Sequence, residues 1–302
     1  MDESKQSSSR LWMTKPYKAF QVFNYSFLAV IALSCLLPVI HILALSFSSI
    51  GPIRAGRVSF FPVDFTLSAY EYVLNNGSFW TAMYVSVLRV VVGLAVNMTV
   101  TILVAYPLSK DSDTFPARTR YVFVFFFTML FSGGLIPTYL IMRYTGLVDT
   151  IWALVVPGAV QIYSVILMLN FFRQLPKEIL DAAYVDGAGH TQTLLRIVLP
   201  CSTASLATIG LFCMVGHWNE WFSPIIYMRS TMNYPLQTYM RSVLISETFQ
   251  TRSLEDVELL RKLSNRTITS AQVFIGMLPI MMVYPFLQKY FSKGIVLGSV
   301  KG

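Results

Sequence analysis

Long apolar runs separated by short polar segments dominate the chain. Each of six runs comes near the roughly 20 residues that a helix needs to cross a bilayer. This pattern predicts an all-α polytopic membrane protein with six transmembrane helices. We place these helices at about residues 25–47, 80–108, 121–142, 150–172, 203–228 and 270–291.

Composition supports a membrane class over a soluble enzyme. Of 302 residues, 55% are apolar and only 13% are charged, and the mean hydropathy is +0.58. This combination is typical of polytopic membrane proteins. The net charge of +8 does not indicate nucleic acid, because the basic residues are scattered between apolar runs, as in cytoplasmic loops.

The distribution of Lys and Arg predicts the orientation. Basic residues concentrate in the N-terminal tail, the 109–120 loop, the central polar segment and the C-terminal tail, whereas the first two facing loops hold only Arg54, Arg57 and Arg143. Both termini are therefore expected in the cytoplasm. The expected divisions are a cytoplasmic tail (1–24), a membrane domain (25–291) with a central loop (173–200) and an external loop (229–269), and a second cytoplasmic tail (292–302).

The central polar segment, residues 176–200, predicts a helix, a glycine turn and a second short helix. Pro176 suits the first turn of a helix, since its missing N–H would be unpaired there anyway. Gly187 and Gly189 are expected to supply positive-φ positions after the first helix. His190 or Thr191 can open the second helix, which Pro200 is expected to stop.

The residue spacing in the first of these helices predicts a face of small side chains next to two acidic residues. Glu178 and Asp181, near the start, complement the helix dipole. Ala182 and Ala183 lie on one face with Ile179, since residues three and four apart are neighbours on a helix. Two adjacent alanines permit the close approach of another protein backbone.

These residues resemble the EAA loop of ABC-type importer permeases. The resemblance rests on Asp181-Ala182-Ala183, then Gly187, Ile197 and Leu199-Pro200, with Asp181 standing where the family usually has Glu. It implies a cytoplasmic coupling-helix loop in the type I ABC importer permease fold, docking into a cleft on an ATPase. The implied coupling residues are Glu178, Asp181, Ala182, Ala183, Gly187, Ile197, Leu199 and Pro200.

Further motifs are similar to one subgroup, the second permease of importers for oligosaccharides released from complex polysaccharides. They are FSGGLIPTY, WNEW, YPLQ and YPFLQKYFSKG. The resemblance implies a bacterial cytoplasmic-membrane complex of this chain with a second permease, two cytoplasmic ATPases, an extracytoplasmic solute-binding protein and an oligosaccharide. ATP and Mg²⁺ would be bound by the ATPases, and this chain would hold no cofactor or metal.

Polar residues inside the apolar runs are candidates for the substrate pathway. Arg89, in the second run, either faces a partner or wet cavity or extends to the interface. Glu220 is expected near the outer interface, in a wet cavity, or protonated. Its neighbours Trp218, Asn219 and Trp221 are expected to form either a sugar-contacting or gate-lining patch, or an anchor of the helix at the interface.

Two runs contain residues that favour a break in the helix. The third carries Gly133, Gly134 and Pro137, and the sixth carries Pro279 and Pro285. Glycine and proline permit kinks, so we expect these helices to bend between inward-facing and outward-facing states. Static packing is the alternative explanation.

Recognisable enzyme motifs are missing from the sequence. It contains no HExxH or GxSxG motif and no glycine-rich phosphate loop with lysine. We therefore expect no enzymatic activity in this chain. The alternatives to an ATP-driven permease are a secondary transporter driven by an ion gradient and, with less support, an intramembrane enzyme.

Overall fold

The computed structural model of the chain describes residues 15–246 and 265–298. Most of the predicted N-terminal tail, part of the 229–269 loop and the last residues of the chain lie outside these ranges. Within them, all regular secondary structure is helical. The α-helices are α1 (Lys15–Ser46), α2 (Ile50–Arg54), α3 (Ser68–Leu74), α4 (Gly77–Ser109), α5 (Arg118–Leu130), α6 (Leu135–Tyr144), α7 (Ile151–Val155), α8 (Ile162–Arg173), α9 (Lys177–Val185), α10 (His190–Thr193), α11 (Leu199–Cys201), α12 (Thr203–Asn219), α13 (Phe222–Tyr227), α14 (Leu236–Ser246) and α15 (Asn265–Gly298).

Three helical stretches are long and apolar enough to cross a membrane unbroken. They lie at Tyr17–Ser46, Gly77–Ser109 and Arg266–Pro285. These stretches overlap the predicted first, second and sixth spans, and each begins a few residues before its predicted start. Up to three more spans are possible if each bent helix pair crosses once. The bent pairs are α5 with α6 at 110°, α7 with α8 at 54°, and the His190–Cys201 helix with α12 at 82°.

The helix breaks differ in part from the sequence expectation. The α5–α6 bend confirms the predicted break, with Gly134 at φ +85°. The predicted helix at 203–228 is interrupted at Glu220, whose backbone is extended. The sixth helix is continuous through both prolines, because a proline removes one backbone hydrogen bond and need not end a packed helix.

The chain divides into two compact units, of which one comprises residues 1–75 and 251–275. In this unit, Phe47 stacks on Phe65 and on Tyr70, with ring centroids 5.3 and 4.8 Å apart. In the same unit, Nδ1 of His41 donates to the Ser59 carbonyl at 2.6 Å. The apolar side chains of α1 are mostly exposed, as expected of a helix that faces lipid.

The other unit, residues 76–250 and 276–302, is built around α4. The Asn76 side chain caps this helix by accepting from the backbone N–H groups of Ser78 and Phe79. Helices α8 and α12 pack along α4, and at one end they enclose a core around Ala105, Met168 and Ile209. The buried positions of α4 form a stripe rich in small and polar residues: Ala82, Ser86, Arg89, Gly93, Asn97, Thr101 and Ala105. Small residues on such a stripe let neighbouring helices approach closely.

Candidate functional site

Arg89, on the buried stripe of α4, forms an ion pair with Glu220. The Arg89 Nη2 to Glu220 Oε2 distance is 2.7 Å, and the side chains are 3% and 32% exposed, respectively. Arg89 also donates to the backbone carbonyls of Glu220 at 3.1 Å and Leu154 at 3.4 Å. Of the two sequence interpretations, the structure therefore supports a partnered arginine over one that extends to the interface.

The other carboxylate oxygen of Glu220 begins the next helix. Its Oε1 accepts from the backbone N–H groups of Phe222 at 2.8 Å and Ser223 at 3.0 Å. These first N–H groups of α13 have no partner within the helix. The extended backbone of Glu220 therefore ends α12, while its side chain both caps α13 and neutralises Arg89.

About two turns further along α4, Asn97 makes a second bridge. Its Nδ2 donates to the carbonyls of Gly158 at 2.7 Å and Ala159 at 3.2 Å, where the chain breaks between α7 and α8. Carbonyls only accept, so Oδ1 of Asn97 faces His217, 2.7 Å from its Nε2. An amide oxygen also only accepts, and Nε2 of His217 therefore carries a proton.

We call Arg89, Asn97, His217 and Glu220 the polar latch. Arg89 and Asn97 lie on α4. Their side chains donate to backbone carbonyls at two helix breaks, one at Glu220 and one at Gly158. Unpaired backbone groups are costly where water is excluded. The latch thus fixes α7, α8, α12 and α13 against one continuous helix.

The central polar segment has the predicted helix–turn–helix form, with three differences in detail. Helix α9 begins after Pro176, which takes the extended N-cap position rather than the first turn. Gly187 has the expected positive φ of +82°, whereas Gly189 is extended at φ −73° and precedes α10. Pro200 does not stop the second helix, which continues to Cys201. A wider π-helical turn, at residues 194–198, accommodates the proline ring that would clash with a carbonyl in a regular helix.

Exposure divides the predicted coupling residues into three groups: buried, half-buried and exposed. Ala183 is 5% exposed and is packed within the chain itself, so the expected flat face of two alanines does not exist. Its neighbour Ala182 is exposed, together with Ile179 and Val185, the latter at 86%. Of the remaining predicted residues, Glu178, Asp181, Gly187 and Pro200 are exposed, and Ile197 and Leu199 are half-buried.

An exposed ion pair joins the start of α9 to the residue after the C-cap of α4. Lys177 Nζ lies 2.8 Å from Asp111 Oδ2. This hydrogen bond and the charge of Lys177 lower the pKa of Asp111, and the same contact raises the pKa of Lys177. Both groups are largely solvated, so the pair contributes little to stability.

Several known proteins are similar to this chain along nearly its whole length. The polygalacturonan/rhamnogalacturonan transport system permease protein YtcP of Bacillus subtilis is 35% identical over 94% of this chain and 99% of its own length. Protein LplC of the same organism is 39% identical over 96% of this chain and 97% of its own. The chain belongs to the family of ABC-type carbohydrate importer permeases.

A solved structure supports the same assignment for this permease. A chain in the crystal structure of a bacterial ABC transporter involved in the import of the acidic polysaccharide alginate superposes with a TM-score of 0.84. It is 32% identical, and the match covers 92% of this permease and 98% of that chain. No family model matches the sequence. The permease is a helical, multi-pass inner-membrane protein.

The WNEW residues of the permease have different surroundings. Trp218 is buried and lines an apolar cavity of about 190 Å³ together with residues of α4, α12 and α15. Asn219 is exposed and Trp221 is half-buried. The guanidinium of Arg241 lies over the Trp221 ring, 3.5 Å from its centroid.

The sequence pattern marked Arg89 and Glu220 separately but gave neither their pairing nor the contact of His217 with Asn97. Two signals could have indicated them. Opposite charges inside apolar helices each require a partner. In addition, the small and polar residues of α4 recur every three or four positions, which marks one face of a helix.

Proposed function

We propose that this permease forms half of the translocation pathway of an ATP-driven, solute-binding-protein-dependent oligosaccharide importer. The proposal includes six membrane crossings, with each bent helix pair crossing once and both termini in the cytoplasm. The Lys and Arg distribution supports this orientation. A second, related permease would supply the other half of the pathway.

The observation that carries the coupling part of the proposal is the exposed outer face of α9. Ile179, Ala182 and Val185 present an apolar surface on a short helix that lies between two membrane segments. Exposed apolar side chains outside lipid are typical of a protein interface. We propose that this face docks on a cytoplasmic ATPase that binds ATP and Mg²⁺, with Glu178 at its edge.

For the substrate, we propose oligosaccharides derived from acidic polysaccharides. The names of YtcP and of the structural neighbour refer to polygalacturonan, rhamnogalacturonan and alginate. We further propose that Asn219 and Trp221 line the pathway, because Asn219 is exposed and Trp221 is partly exposed. Arg89 and Glu220 would then support the pathway wall, since their charged groups already bind each other.

Uptake of labelled oligogalacturonate by vesicles that contain the complete complex tests this function. We expect uptake to require ATP inside the vesicle and the binding protein outside, and to survive a protonophore. Arabino-oligosaccharides serve as the neutral control. Uptake that persists without ATP and collapses with the protonophore would instead favour an ion-gradient transporter.

A further inference from the structure

Lys110, directly after α4, lies in an aromatic clasp formed with the central polar segment. Its Nζ donates to the Tyr184 hydroxyl at 2.9 Å. It also lies 4.5 Å from the ring centroid of Tyr106 and 5.5 Å from that of Tyr184. A cation over an aromatic face is attracted by the ring quadrupole. Lys110 therefore binds the last turn of α4 to the last turn of α9.

A second contact attaches the other end of α9 to the same region. The Lys177–Asp111 pair joins the first residue of α9 to the residue that follows Lys110. Helix α9 thus contacts neighbouring residues that extend α4 at both of its ends, and the contact at Lys110 is the stronger one because the Lys177–Asp111 pair is exposed. A displacement of α9 along or across its axis must strain these contacts or move the end of α4.

The opposite half of α4 carries the polar latch. At 1.5 Å per residue, Asn97 lies roughly 20 Å and Arg89 roughly 30 Å along the helix from Lys110. Helix α4 is continuous between them, and the latch binds it to the broken segments around Gly158 and Glu220. One rigid element therefore connects α9 with both breaks.

We infer that Lys110 is a positioning residue through which movement of α9 reaches the polar latch by way of α4. This inference rests on the proposed coupling function of α9. The chain also continues from α9 through Pro200 into α12, which offers a second route. The two routes are separable, because replacing Lys110 leaves the chain between α9 and α12 unchanged.

The test measures nucleotide-driven movement in the purified complex of permeases, ATPases and binding protein. Exposed Cys35 and Cys201 are replaced by Ser, and spin labels are placed at Ser78 and Tyr144, both exposed and distant from Lys110 in sequence. Interlabel distances are recorded without nucleotide and after trapping with ATP and vanadate. ATPase copurification and trapped nucleotide are measured on the same samples.

In Lys110→Met, we expect ATPase copurification and the amount of trapped nucleotide to be unchanged. The fraction of complexes whose interlabel distance changes with ATP and vanadate should fall by roughly fivefold or more, since coupling between two sites typically changes an equilibrium by at least that factor. Tyr184→Phe should reduce it less, because the ring remains. The double variant should lie close to Lys110→Met, since the Lys110–Tyr184 hydrogen bond that Tyr184→Phe removes is already absent there. Lys177→Met, which removes a lysine from an exposed pair, should retain most of the shift.

The outcomes separate this inference from the function on which it rests. A full shift in Lys110→Met, an equal loss in Lys177→Met, or loss of the bound ATPase would overturn the role of Lys110 in transmission. A wild-type complex that neither binds the ATPase nor shifts with ATP and vanadate would reject the coupling function itself, and this inference with it.

Discussion

His217 occupies the space that any side chain at Gly93 would need. A Cβ atom built on Gly93 would overlap the imidazole ring. The missing side chain lets His217 of α12 reach across α4 to Asn97, where its Nε2 donates at 2.7 Å. Glycine costs about 1 kcal/mol in a helix interior relative to alanine. At Gly93, that cost is offset by the buried His217–Asn97 hydrogen bond and by the close contact between α4 and α12.

Gly93→Ala should therefore destabilise the permease although alanine favours helices. Either His217 moves and loses its bond to Asn97, or α12 shifts away from α4. Overpacking of this kind costs about 1–3 kcal/mol. Thermal unfolding of the purified complex in detergent measures the effect as a lowered Tm.

Gly216→Ala is the matched control for this prediction. Gly216 also lies within a helix, but an added Cβ there meets no atom within 4 Å. We expect its Tm to be unchanged or slightly raised. Equal losses in the two variants would show that the Gly93–His217 contact has no special importance.

Glu220→Gln should destabilise the permease by leaving Arg89 charged without its carboxylate. Breaking one partner of a buried pair costs roughly 3–5 kcal/mol, and the lower value applies because Glu220 is 32% exposed. Reduced membrane abundance and a lower Tm are expected. The amide oxygen of glutamine can still accept from the first N–H groups of α13, so the loss of stability reports mainly on the missing charge.

The double variant Arg89→Gln/Glu220→Gln distinguishes charge pairing from a direct substrate role. If pairing is the main role, removing both charges should recover part of the lost stability and abundance. Normal stability together with lost uptake in Glu220→Gln alone would instead assign the carboxylate to the pathway.

Local sequence signals predicted much of the backbone but little of the latch. Gly134 and Gly187 were expected to permit bends or turns, and both have positive φ. These properties depend on one residue and its neighbours. By contrast, Arg89 and Glu220 are 131 positions apart, and periodicity tells which residues share a face but not which helix lies opposite.

The same limitation explains the burial of Ala183. Helical spacing placed Ala182 and Ala183 on adjacent positions, and either could have faced inward. The choice depends on how α9 lies against α4 and α10, which the clasp at Lys110 and Tyr184 fixes. Likewise, Pro200 is a helix breaker by propensity, and the π-helical turn before it is not visible in composition.

Gly187 and Gly189 should respond differently to alanine. Gly187 has φ +82° and open space around it, so alanine there is strained by about 1–2 kcal/mol without any clash. Gly189 is extended and is the N-cap residue of α10. Alanine there should be close to neutral, because the lower entropy of the unfolded chain is offset by the preference of N-caps for glycine over alanine. Uptake and ATPase copurification should fall only in Gly187→Ala. An equal fall in uptake and ATPase copurification in Gly189→Ala would contradict the assignment of the loss to the positive φ of Gly187.

Tryptophan at Ala182 and at Ala183 should produce two different defects. Ala182 is exposed, so Ala182→Trp should leave the membrane helices inserted and the Tm unchanged while it blocks the proposed ATPase contact. Ala183 is 5% exposed, so Ala183→Trp should overpack the chain itself, by at least about 1–3 kcal/mol, and lower the abundance of the permease. Membrane abundance, Tm and ATPase copurification are measured for both variants, with Ala182→Ser as the control of similar size. Normal ATPase copurification in Ala182→Trp would contradict the docking role of this face. Normal abundance in Ala183→Trp would contradict its packing role, because a buried alanine cannot accept an indole ring without a rearrangement of α9.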